Sequence, residues 1–316
     1  MINKKIKIGV VGLGYLGKFH VKHLSTLKSV EVIGVHDLDE QIMNDISTKY
    51  AVPPAACLDT LLEKVDAVSI VTPTNYHADI ALKALSKNCH IFIEKPVSNS
   101  VKDANKILAS VALNKKVAHV GHIERFNPAF MAYNSKKRSP LFIECHRLAE
   151  ANNRSMDISV VLDLMIHDID LVLQLINSPI DDIIADGVNI VSNSIDLANV
   201  KLIFKNGCVV NLTASRISNK NMRKMRIFEK KSYSSLDLMK KEFVEYNAII
   251  NESTKKMTFK NTKHIIIEND ALRQELKKFC DCIESKNIST TNLSYSIQAL
   301  EIAKKINHII QSKHKQ

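Results

Sequence analysis

The chain has 316 residues, a formal charge of +11 and 45% hydrophobic residues. This length exceeds the size at which a single hydrophobic core usually stops growing, so two domains are expected. The longest apolar run is only a few residues, far short of the ~20 that span a bilayer, and the first seven residues lack the apolar stretch of a secretory signal. The composition therefore excludes a membrane-spanning protein and predicts a soluble globular protein of the cytoplasm.

The positive charge is compatible with nucleic acid, a membrane surface or an anionic small molecule as partner. Lysines are spread along the chain, and local clusters such as Lys136, Lys137 and Arg138 have no aromatic stacking motif or DNA-reading module beside them. We therefore expect neither nucleic acid nor membrane as a partner, whereas a nucleotide-like substrate fits. The six cysteines form no Cys-x-x-Cys pair and are expected to be reduced and mostly buried.

The first half of the chain alternates short β-branched runs with segments of helical spacing. Strands are predicted at residues 5–11, 30–36, 67–71, 89–93 and 117–120. Helices are predicted between them, at residues 16–27, 39–49, 77–86 and 101–114. This alternation is typical of a doubly wound parallel sheet, the Rossmann arrangement, and places a first domain at residues 1–123.

After Glu124 the pattern changes. One amphipathic helix at residues 161–175 precedes alternating runs with a hairpin signal, in which Asn206-Gly207 separates residues 202–204 from 208–212. Helical spacing returns at residues 271–283 and 294–310. The second domain, residues 124–316, is therefore predicted to be built on a mostly antiparallel sheet, with the C-terminal helix able to pack back on the first domain.

The strand at residues 6–11 runs directly into Gly12-Leu13-Gly14-Tyr15-Leu16-Gly17 and then into a helix. Gly12 permits the tight turn, Gly14 lets the backbone approach a pyrophosphate, and Gly17 lets the helix pack close to the strand. The N–H groups that begin this helix, those of Tyr15 and Leu16 included, then face the phosphates. Taken alone, the same glycines are also compatible with a simple strand-to-helix turn.

Asp37 ends the second predicted strand, twenty residues beyond Gly17. A carboxylate there accepts hydrogen bonds from an adenosine ribose and repels a 2′-phosphate. The alternative is a turn or helix-capping role next to Asp39. The spacing favours the ribose, and hence NAD over NADP.

Polar residues also follow other strands of the first domain. In an open parallel sheet, ligands lie beyond the carboxyl ends of the strands, where Thr72, Glu94 and Lys95 all fall. We expect these three side chains to converge on one crevice. Pro96 restricts Lys95 to an extended conformation and can form a cis peptide bond.

Three segments resemble the Gfo/Idh/MocA family of sugar and inositol oxidoreductases. They are Val71-Thr72-Pro73-Thr74-Asn75-Tyr76-His77, Ile93-Glu94-Lys95-Pro96 and Asp163-Leu164-Met165-Ile166-His167. The resemblance extends through nearly the whole chain. It implies that Pro73 and His77 lie beside the nicotinamide end of the cofactor, and that Thr72, Asn75, Glu94 and Lys95 also belong to the cofactor site.

Asp163 and His167 are four residues apart on a predicted helix, hence on one face. Oxidising an alcohol with NAD requires removal of the hydroxyl proton as hydride leaves the carbon, and imidazole has a suitable pKa. His167 is therefore predicted to be the general base, Lys95 to stabilise the developing alkoxide, and Asp163 to orient one of them. Whether Lys95 or His167 accepts the proton stays open, and an isolated Asp–His pair of this spacing is also compatible with a surface pair.

Residues 120–128, 145–148 and 157–170 resemble the branch of the family that oxidises the 3-hydroxyl of nucleotide-activated amino sugars, such as UDP-N-acetylglucosamine 3-dehydrogenases. The resemblance implies a 3-keto product that passes to an aminotransferase on the way to lipid A or another surface polysaccharide. Arg125, Arg147 and Arg154 are candidates to bind the substrate pyrophosphate, because guanidinium groups match phosphate oxygens. Internal salt bridges with neighbouring acids are the alternative for each arginine.

Two other functions are weighed against this one. The first is an inositol or free-sugar dehydrogenase; the second is a non-catalytic dinucleotide-binding sensor, against which the set of Lys95, Asp163 and His167 argues.

His20 and His23 are expected to be packing or capping residues, and no metal is expected, because the histidines and cysteines form no set with ligand spacing. The family resemblance suggests that one face of the second sheet pairs with another subunit, giving a homodimer or homotetramer.

Overall fold

The computed structural model describes residues 5–150, 156–251, 253–264 and 269–313. The chain divides into two compact units. The first comprises the chain up to Ile123 together with Asp270–Gln298, and the second comprises Glu124–Asn269 together with the chain from Ala299 onward.

The first unit is built on a five-stranded parallel sheet with the strand order β2-β1-β3-β4-β5. Its strands are β1 (Ile6–Val11), β2 (Val30–His36), β3 (Ala67–Ile70), β4 (His90–Glu94) and β5 (Ala118–Gly121). The helices that alternate with them are α1 (Tyr15–Ser25), α2 (Glu40–Tyr50), α3 (Leu58–Leu62), α4 (His77–Ser86) and α5 (Val101–Leu113). The predicted parallel Rossmann sheet is therefore confirmed, with strand bounds within one residue of those expected from the sequence.

Local sequence explains where these helices begin. Asp39 caps α2 by accepting hydrogen bonds from the backbone N–H groups of Gln41 and Ile42, and Ser100 caps α5 through the N–H of Asp103. The strands between them are almost wholly buried, as expected where helices cover both faces of a parallel sheet. The sequence does not predict the short helix α3, because five residues are too few to show a helical period.

Helix α8 (Ala271–Glu284) belongs to the first unit although it comes late in the chain. Its residues Leu276 and Phe279 are buried in the same hydrophobic core as Ile8 and Phe92, and the rings of Phe279 and Phe92 lie 5.8 Å apart. The predicted single boundary between residues 123 and 124 therefore needs a correction, because Asp270–Gln298 joins the first unit.

The second unit contains an eight-stranded sheet with the order β13-β12-β11-β10-β6-β9-β8-β7. All neighbouring strands are antiparallel except β6 and β9, which are parallel. The strands are β6 (Phe142–Glu150), β7 (Ile180–Val188), β8 (Leu197–Phe204), β9 (Val209–Ser218), β10 (Met222–Glu229), β11 (Ser232–Asp237), β12 (Glu242–Ile250) and β13 (Met257–His264). The mostly antiparallel sheet is confirmed, and Gly207 makes the predicted hairpin turn between β8 and β9 with φ +84°.

One face of this sheet is covered by helices of the second unit. Helix α6 (Pro128–Asn134) contacts β11 and β12, and a five-residue π-helix, Val161–Met165, contacts β9 and leads directly into α7 (Ile166–Leu175). The last helix, α9 (Thr291–Lys313), contributes its first turns to the first unit and the remainder to the second. Within the described residues, no helix is both long and apolar enough to cross a membrane.

Candidate active site

The glycine turn after β1 leaves no room for side chains at two of its three glycines. Gly12 has φ +89°, and a Cβ there would come within 2.6 Å of the Thr72 backbone nitrogen; a Cβ at Gly17 would overlap the carbonyl oxygen of Gly12. A Cβ at Gly14, by contrast, would have no described atom within 4 Å. The turn is therefore tightly packed at both ends and open at Gly14.

Helix α1 begins at this open position with Gly14 as its N-cap, and no described side chain caps that end. The N–H groups of a helix's first turn need an acceptor, and the helix dipole favours an anionic one. Thr72, whose backbone packs against Gly12, also has a buried hydroxyl oxygen without a hydrogen-bond partner among the described residues. An open glycine, an uncapped helix start and this hydroxyl fit a dinucleotide diphosphate at the turn.

Asp37 lies beside the same turn. Its Oδ2 accepts a hydrogen bond from the Leu13 N–H at 2.5 Å, and its Oδ1 accepts one from the Asp39 N–H at 3.0 Å. Each carboxylate oxygen can accept a further bond, so both remain capable of receiving ribose hydroxyls. Asp39, not Asp37, is the helix cap.

His77, which the family resemblance assigns to the nicotinamide end of the cofactor, is almost completely buried. Only 1% of it is exposed, and its two ring nitrogens lie 2.9 Å from the carbonyl oxygen of Pro96 and 2.8 Å from that of Thr72. Burial lowers the pKa of His77, although hydrogen bonds to both carbonyls favour the charged ring. The neutral ring therefore prevails, and it donates to one carbonyl at a time. His77 therefore joins the segments that follow β3 and β4 from within the fold. Pro73 and Asn75, by contrast, are exposed. They lie at the start and in the middle of a short 3₁₀ turn between β3 and α4.

Glu94 and Lys95 mark the end of β4, and the peptide bond between Lys95 and Pro96 is cis. Glu94 Oε2 accepts a hydrogen bond from the Lys95 N–H at 3.3 Å. Its Oε1 lies 3.0 Å from Nε2 of His20, a residue of α1. The sheet thus brings Thr72, Glu94 and Lys95 to the same edge, in agreement with the sequence.

In the second unit, Asp163 lies within the π-helix and His167 is the second residue of α7. The π-helix is marked by a bond from the Ile166 N–H to the Val161 carbonyl, five residues back. Val161, Met165, Ile166 and Ile169 are fully buried, whereas Asp163 and His167 are partly exposed. The helix therefore fixes its apolar face in the core and leaves these two polar residues partly exposed.

The segment before Asp163 is anchored by several polar contacts. The Asp163 N–H donates to the Ser159 carbonyl at 3.0 Å, and the Ser159 hydroxyl donates to Oδ1 of Asn307 at 2.9 Å. The Val160 N–H donates to the Ile195 carbonyl at 2.8 Å. The chain around Asp163 is thus held from both α9 and the loop before β8.

Two of the three arginines predicted to bind pyrophosphate, Arg147 and Arg125, need a correction. Arg147 is 3% exposed; it forms a two-pronged ion pair with Asp168 at 2.9 and 2.7 Å and bonds Glu124 at 2.8 Å. Arg125 forms a two-pronged pair with Asp170, at 2.7 and 2.5 Å. Both take the internal salt bridge that the sequence left as the alternative. Arg154 lies outside the described residues.

The charges around Arg147 stabilise one another. Burial opposes ionisation of Glu124, but Arg147 outweighs it and, with Arg223, holds the pKa of that carboxyl below its usual range. Arg223 bonds Glu124 at 3.2 Å from a half-exposed position. A signal for this network exists in the sequence, because Arg147 shares the inward face of β6 with Ile143 and Cys145.

His20 is a functional candidate that the sequence pattern assigns to packing. The available signal is its position three residues after Gly17, on the face of α1 that also carries Val21 and Leu24, all of them buried. That face turns the imidazole towards the ends of β3 and β4. His23, by contrast, lies 3.3 Å from Asp270, the cap of α8. Among the described residues, no group of three histidine, cysteine, aspartate or glutamate side chains is arranged to hold a metal ion.

A parallel sheet, a glycine turn into a helix and a carboxylate after the second strand together define a dinucleotide-binding Rossmann domain. The class of the protein is therefore that of two-domain nicotinamide oxidoreductases. The family model described as the oxidoreductase family with an NAD-binding Rossmann fold matches residues 6–122, and the Gfo/Idh/MocA C-terminal domain matches residues 120–232. The chain belongs to the Gfo/Idh/MocA family.

Two curated relatives are similar to this chain over more than two thirds of its length. A UDP-N-acetylglucosamine 3-dehydrogenase of Acidithiobacillus ferrooxidans is 32% identical over 279 residues, which cover 88% of each chain. A scyllo-inositol 2-dehydrogenase (NAD(+)) of Bacillus subtilis is 27% identical over 238 residues, or 68% of each chain. A solved structure of the Acidithiobacillus ferrooxidans enzyme matches this fold with a TM-score of 0.90 at 30% identity, covering 99% of both chains.

Proposed function

We propose that the protein oxidises a sugar hydroxyl with NAD, and that the hydroxyl is the 3-hydroxyl of a UDP-N-acetyl-hexosamine. The observation that carries this proposal is the match, over 99% of both chains, to a structure whose protein is named as a UDP-N-acetylglucosamine 3-dehydrogenase. The proposed setting is the cytoplasmic synthesis of lipid A or another surface polysaccharide. Six free cysteine thiols agree with a reducing compartment.

The proposed cofactor site consists of the glycine turn, Asp37 and the residues that follow β3 and β4. The first-turn N–H groups of α1 hold the diphosphate, and Asp37 accepts the ribose hydroxyls. NAD, when bound, accepts the hydride from the carbon that carries the reacting hydroxyl. The residues assigned to this site are Gly12, Gly14, Tyr15, Leu16, Gly17, Asp37, Thr72, Pro73, Asn75, Glu94 and Lys95. His77 connects the segments that follow β3 and β4 through its contacts with the Thr72 and Pro96 carbonyls.

The proton chemistry is assigned to three residues of this chain. His167 takes the hydroxyl proton, the ammonium group of Lys95 stabilises the alkoxide that develops, and Asp163 orients one of these two groups. The partial exposure of Asp163 and His167 beside a fully buried helical face supports this assignment. Proton acceptance by Lys95 is the alternative within the same proposal.

Oxidation of inositol or of a free sugar is the second candidate function. Its support is the 27% identity to the scyllo-inositol 2-dehydrogenase. The two candidates differ in whether the substrate carries a nucleotide.

The first experiment is a substrate panel with the purified chain. UDP-N-acetylglucosamine, UDP-N-acetylgalactosamine, N-acetylglucosamine, myo-inositol and scyllo-inositol are each incubated with NAD, and reduced nicotinamide is followed by absorbance. The proposal predicts turnover of a UDP-sugar and not of the unattached sugar. Turnover of inositol alone would establish the second candidate instead.

Variants then test the assigned residues. Lys95→Met and His167→Asn are expected to lower kcat by about 10²- to 10⁴-fold, since general acid–base catalysis contributes that much. Lys277→Ala, which removes only an exposed pair with Asp281, is the control and should keep wild-type turnover. Unchanged turnover in either site variant would refute the role given to that residue.

The cofactor preference is tested at Asp37. Asp37→Asn retains an acceptor for the Leu13 N–H but loses the negative charge that repels a 2′-phosphate. We expect the ratio of NADP to NAD dissociation constants to fall by about 10-fold or more, which corresponds to the ~1.5 kcal/mol of one charged hydrogen bond. Asp45→Asn, an exposed substitution on α2, is the control. An unaltered ratio in Asp37→Asn would rule out the ribose assignment.

We further propose that the chain forms a homodimer or homotetramer through the open face of its second sheet. Neighbouring strands carry an aromatic row on that face: Phe142, Phe228, Tyr233 and Tyr246, with successive ring centroids 5.9, 4.9 and 5.2 Å apart. At its end, Met257 and Phe259 are 58% and 61% exposed beside a groove of about 570 Å³. Contiguous exposed apolar surface of this kind marks interaction sites.

A further inference from the structure

His20 is fully buried on α1, yet both of its ring nitrogens have polar partners. Nδ1 lies 2.8 Å from the hydroxyl of Ser69 on β3, and Nε2 lies 3.0 Å from Oε1 of Glu94 on β4. The ring edge also packs on Phe92, with centroids 5.4 Å apart and planes at 68°. These two contacts connect α1 to β3 and to the end of β4.

The Glu94 carboxylate is confined on its other sides as well. Its Oε2 accepts the N–H of Lys95, the next residue. On β5, a Cβ at Gly121 would come within 2.8 Å of Oε1, so the carboxylate occupies space that only glycine leaves open. Its side chain is 14% exposed. The carboxylate therefore has one defined place between α1, β5 and the start of the Lys95 segment.

The contact with Glu94 fixes which ring nitrogen of His20 carries a proton. An ionised carboxylate only accepts hydrogen bonds, so Nε2 of His20 must carry the proton that it donates to Glu94. In the neutral ring Nδ1 is then an acceptor, and the Ser69 hydroxyl donates to it. Because a hydroxyl both donates and accepts, Ser69 can satisfy Nδ1 in the tautomer that bonds Glu94.

We propose that His20, with Ser69 behind it, is a positioning residue for Glu94 and, through the Lys95 backbone, for the lysine amine. This inference rests on the proposed function of Lys95. It links the helix whose first turn holds the cofactor diphosphate to the strand end that carries the reacting lysine. A misplacement of about 1 Å at a reacting group can cost about 100-fold in rate, which is the size of effect at issue.

Two substitutions of His20 separate positioning from packing. The amide of His20→Gln reaches the place of Nε2 and can still donate to Glu94, whereas the shorter His20→Asn keeps only the side facing Ser69. His20→Asn is expected to lower kcat about 10- to 100-fold, and His20→Gln to recover most of that loss. Because the defect acts through Glu94, His20→Asn combined with Glu94→Gln should be no slower than Glu94→Gln alone.

A purely structural role predicts another result. Both variants would then lose activity in proportion to the fall in their melting temperatures, and the double variant would show the product of the single losses. That pattern would overturn the proposal.

The nitrogen NMR shifts of the His20 ring supply a readout that does not depend on turnover. At a pH at which the ring is neutral, the wild-type chain should show the Nε2-protonated tautomer, and Glu94→Gln, whose amide can either donate or accept, should give a mixture of tautomers. A ring protonated at Nδ1 in the wild type would contradict the proposal. If no substrate of the panel is turned over while the Nε2 tautomer is found, the proposed function fails and the positioning of Glu94 stands.

Discussion

His90, the first residue of β4, illustrates how burial changes the behaviour of a single side chain. Its Nδ1 accepts a hydrogen bond from the Val117 N–H at 2.9 Å. Burial, reinforced by the nearby Lys116, lowers the pKa of His90 from 6.5 to about 4. The folded chain therefore keeps this ring neutral at pH values at which the unfolded chain protonates it.

The stability of the first unit should consequently fall as the pH drops from about 6.5 to about 4. In that range His90 is protonated in the unfolded state but stays neutral in the folded state, so the free energy of unfolding decreases with pH. At ~1.36 kcal/mol per pKa unit, the decrease is at most about 3 kcal/mol. Above this range both states are neutral at this residue and the contribution is constant. Urea unfolding at pH values of about 7, 6, 5 and 4.5, which begin above the pKa of an unfolded histidine and end below it, measures the slope.

His90→Asn is the matched control, because its amide oxygen can still accept the Val117 N–H but does not titrate. The wild type should lose more stability than the variant on acidification. His23 and His77 also have pKa values lowered mainly by burial, and both remain in the variant, so the difference between the two proteins isolates His90. Parallel slopes for the two proteins would show that His90 is protonated equally in both states.

Single residues also show why part of the site can be predicted from the sequence. The roles of Gly12 and Gly17 follow from spacing along one βαβ unit, and the packing around each agrees with that interpretation. The same spacing places Asp37 beside the glycine turn. The role of His20 does not, because its two partners, Ser69 and Glu94, are 49 and 74 residues away in the chain. Spacing reveals local geometry; contacts between distant residues need the fold.

At the level of elements, long periodic segments are predicted well and short or irregular ones are not. The bounds of β2 and α4 agree with the prediction to the residue. The predicted helix at residues 161–175 has a π-helix over its first five residues, which the sequence could not show, because periods of about 3.6 and about 4.4 residues differ too little over so short a stretch. The parallel pairing of β6 with β9 is likewise hidden, since strand alternation is the same in both orientations.

The attachment of α7 to β6 depends on a buried ion pair. Asp168→Asn removes the charge that faces Arg147 and leaves the buried guanidinium only partly compensated by Glu124. Breaking a buried pair in this way costs about 3–5 kcal/mol, so the free energy of unfolding of the second unit should fall by that order. Chemical denaturation at neutral pH gives the value.

Asp281→Asn serves as the comparison, because it breaks a pair with Lys277 whose side chains are 43% and 49% exposed. Exposed pairs contribute less than about 1 kcal/mol. Similar losses in the two variants would mean that the Arg147 network contributes no more than a surface pair. Added salt should weaken the Lys277 pair but leave the Arg147 network nearly unaffected.

Across the whole molecule, the chain returns to its first unit after completing the sheet of the second. The amphipathic pattern of α8 predicts a helix with one buried face. It does not reveal which core that face joins, because an apolar stripe packs equally well on any complementary surface. The structure shows that this face packs in the core of the first unit, with strands far earlier in the chain such as β4. The packing residues are Leu272, Leu276 and Phe279.

The proposed assembly makes a prediction for the molecule as a whole. Phe228 and Tyr246 lie on the open face of the second sheet, on β10 and β12, and their rings face away from the helices that cover the opposite side. Charges at these positions would have to be desolvated in an interface but remain hydrated in a monomer. The double variant Phe228→Lys/Tyr246→Lys should therefore shift the mass measured by light scattering from a dimer or tetramer to a monomer, with an unchanged circular dichroism spectrum. Leu113→Lys, at an 82% exposed apolar residue of α5, is the matched control and should keep the wild-type mass. A wild-type chain that is monomeric at micromolar concentration would exclude the assembly outright, and an oligomer that survives the double variant would place its interface elsewhere.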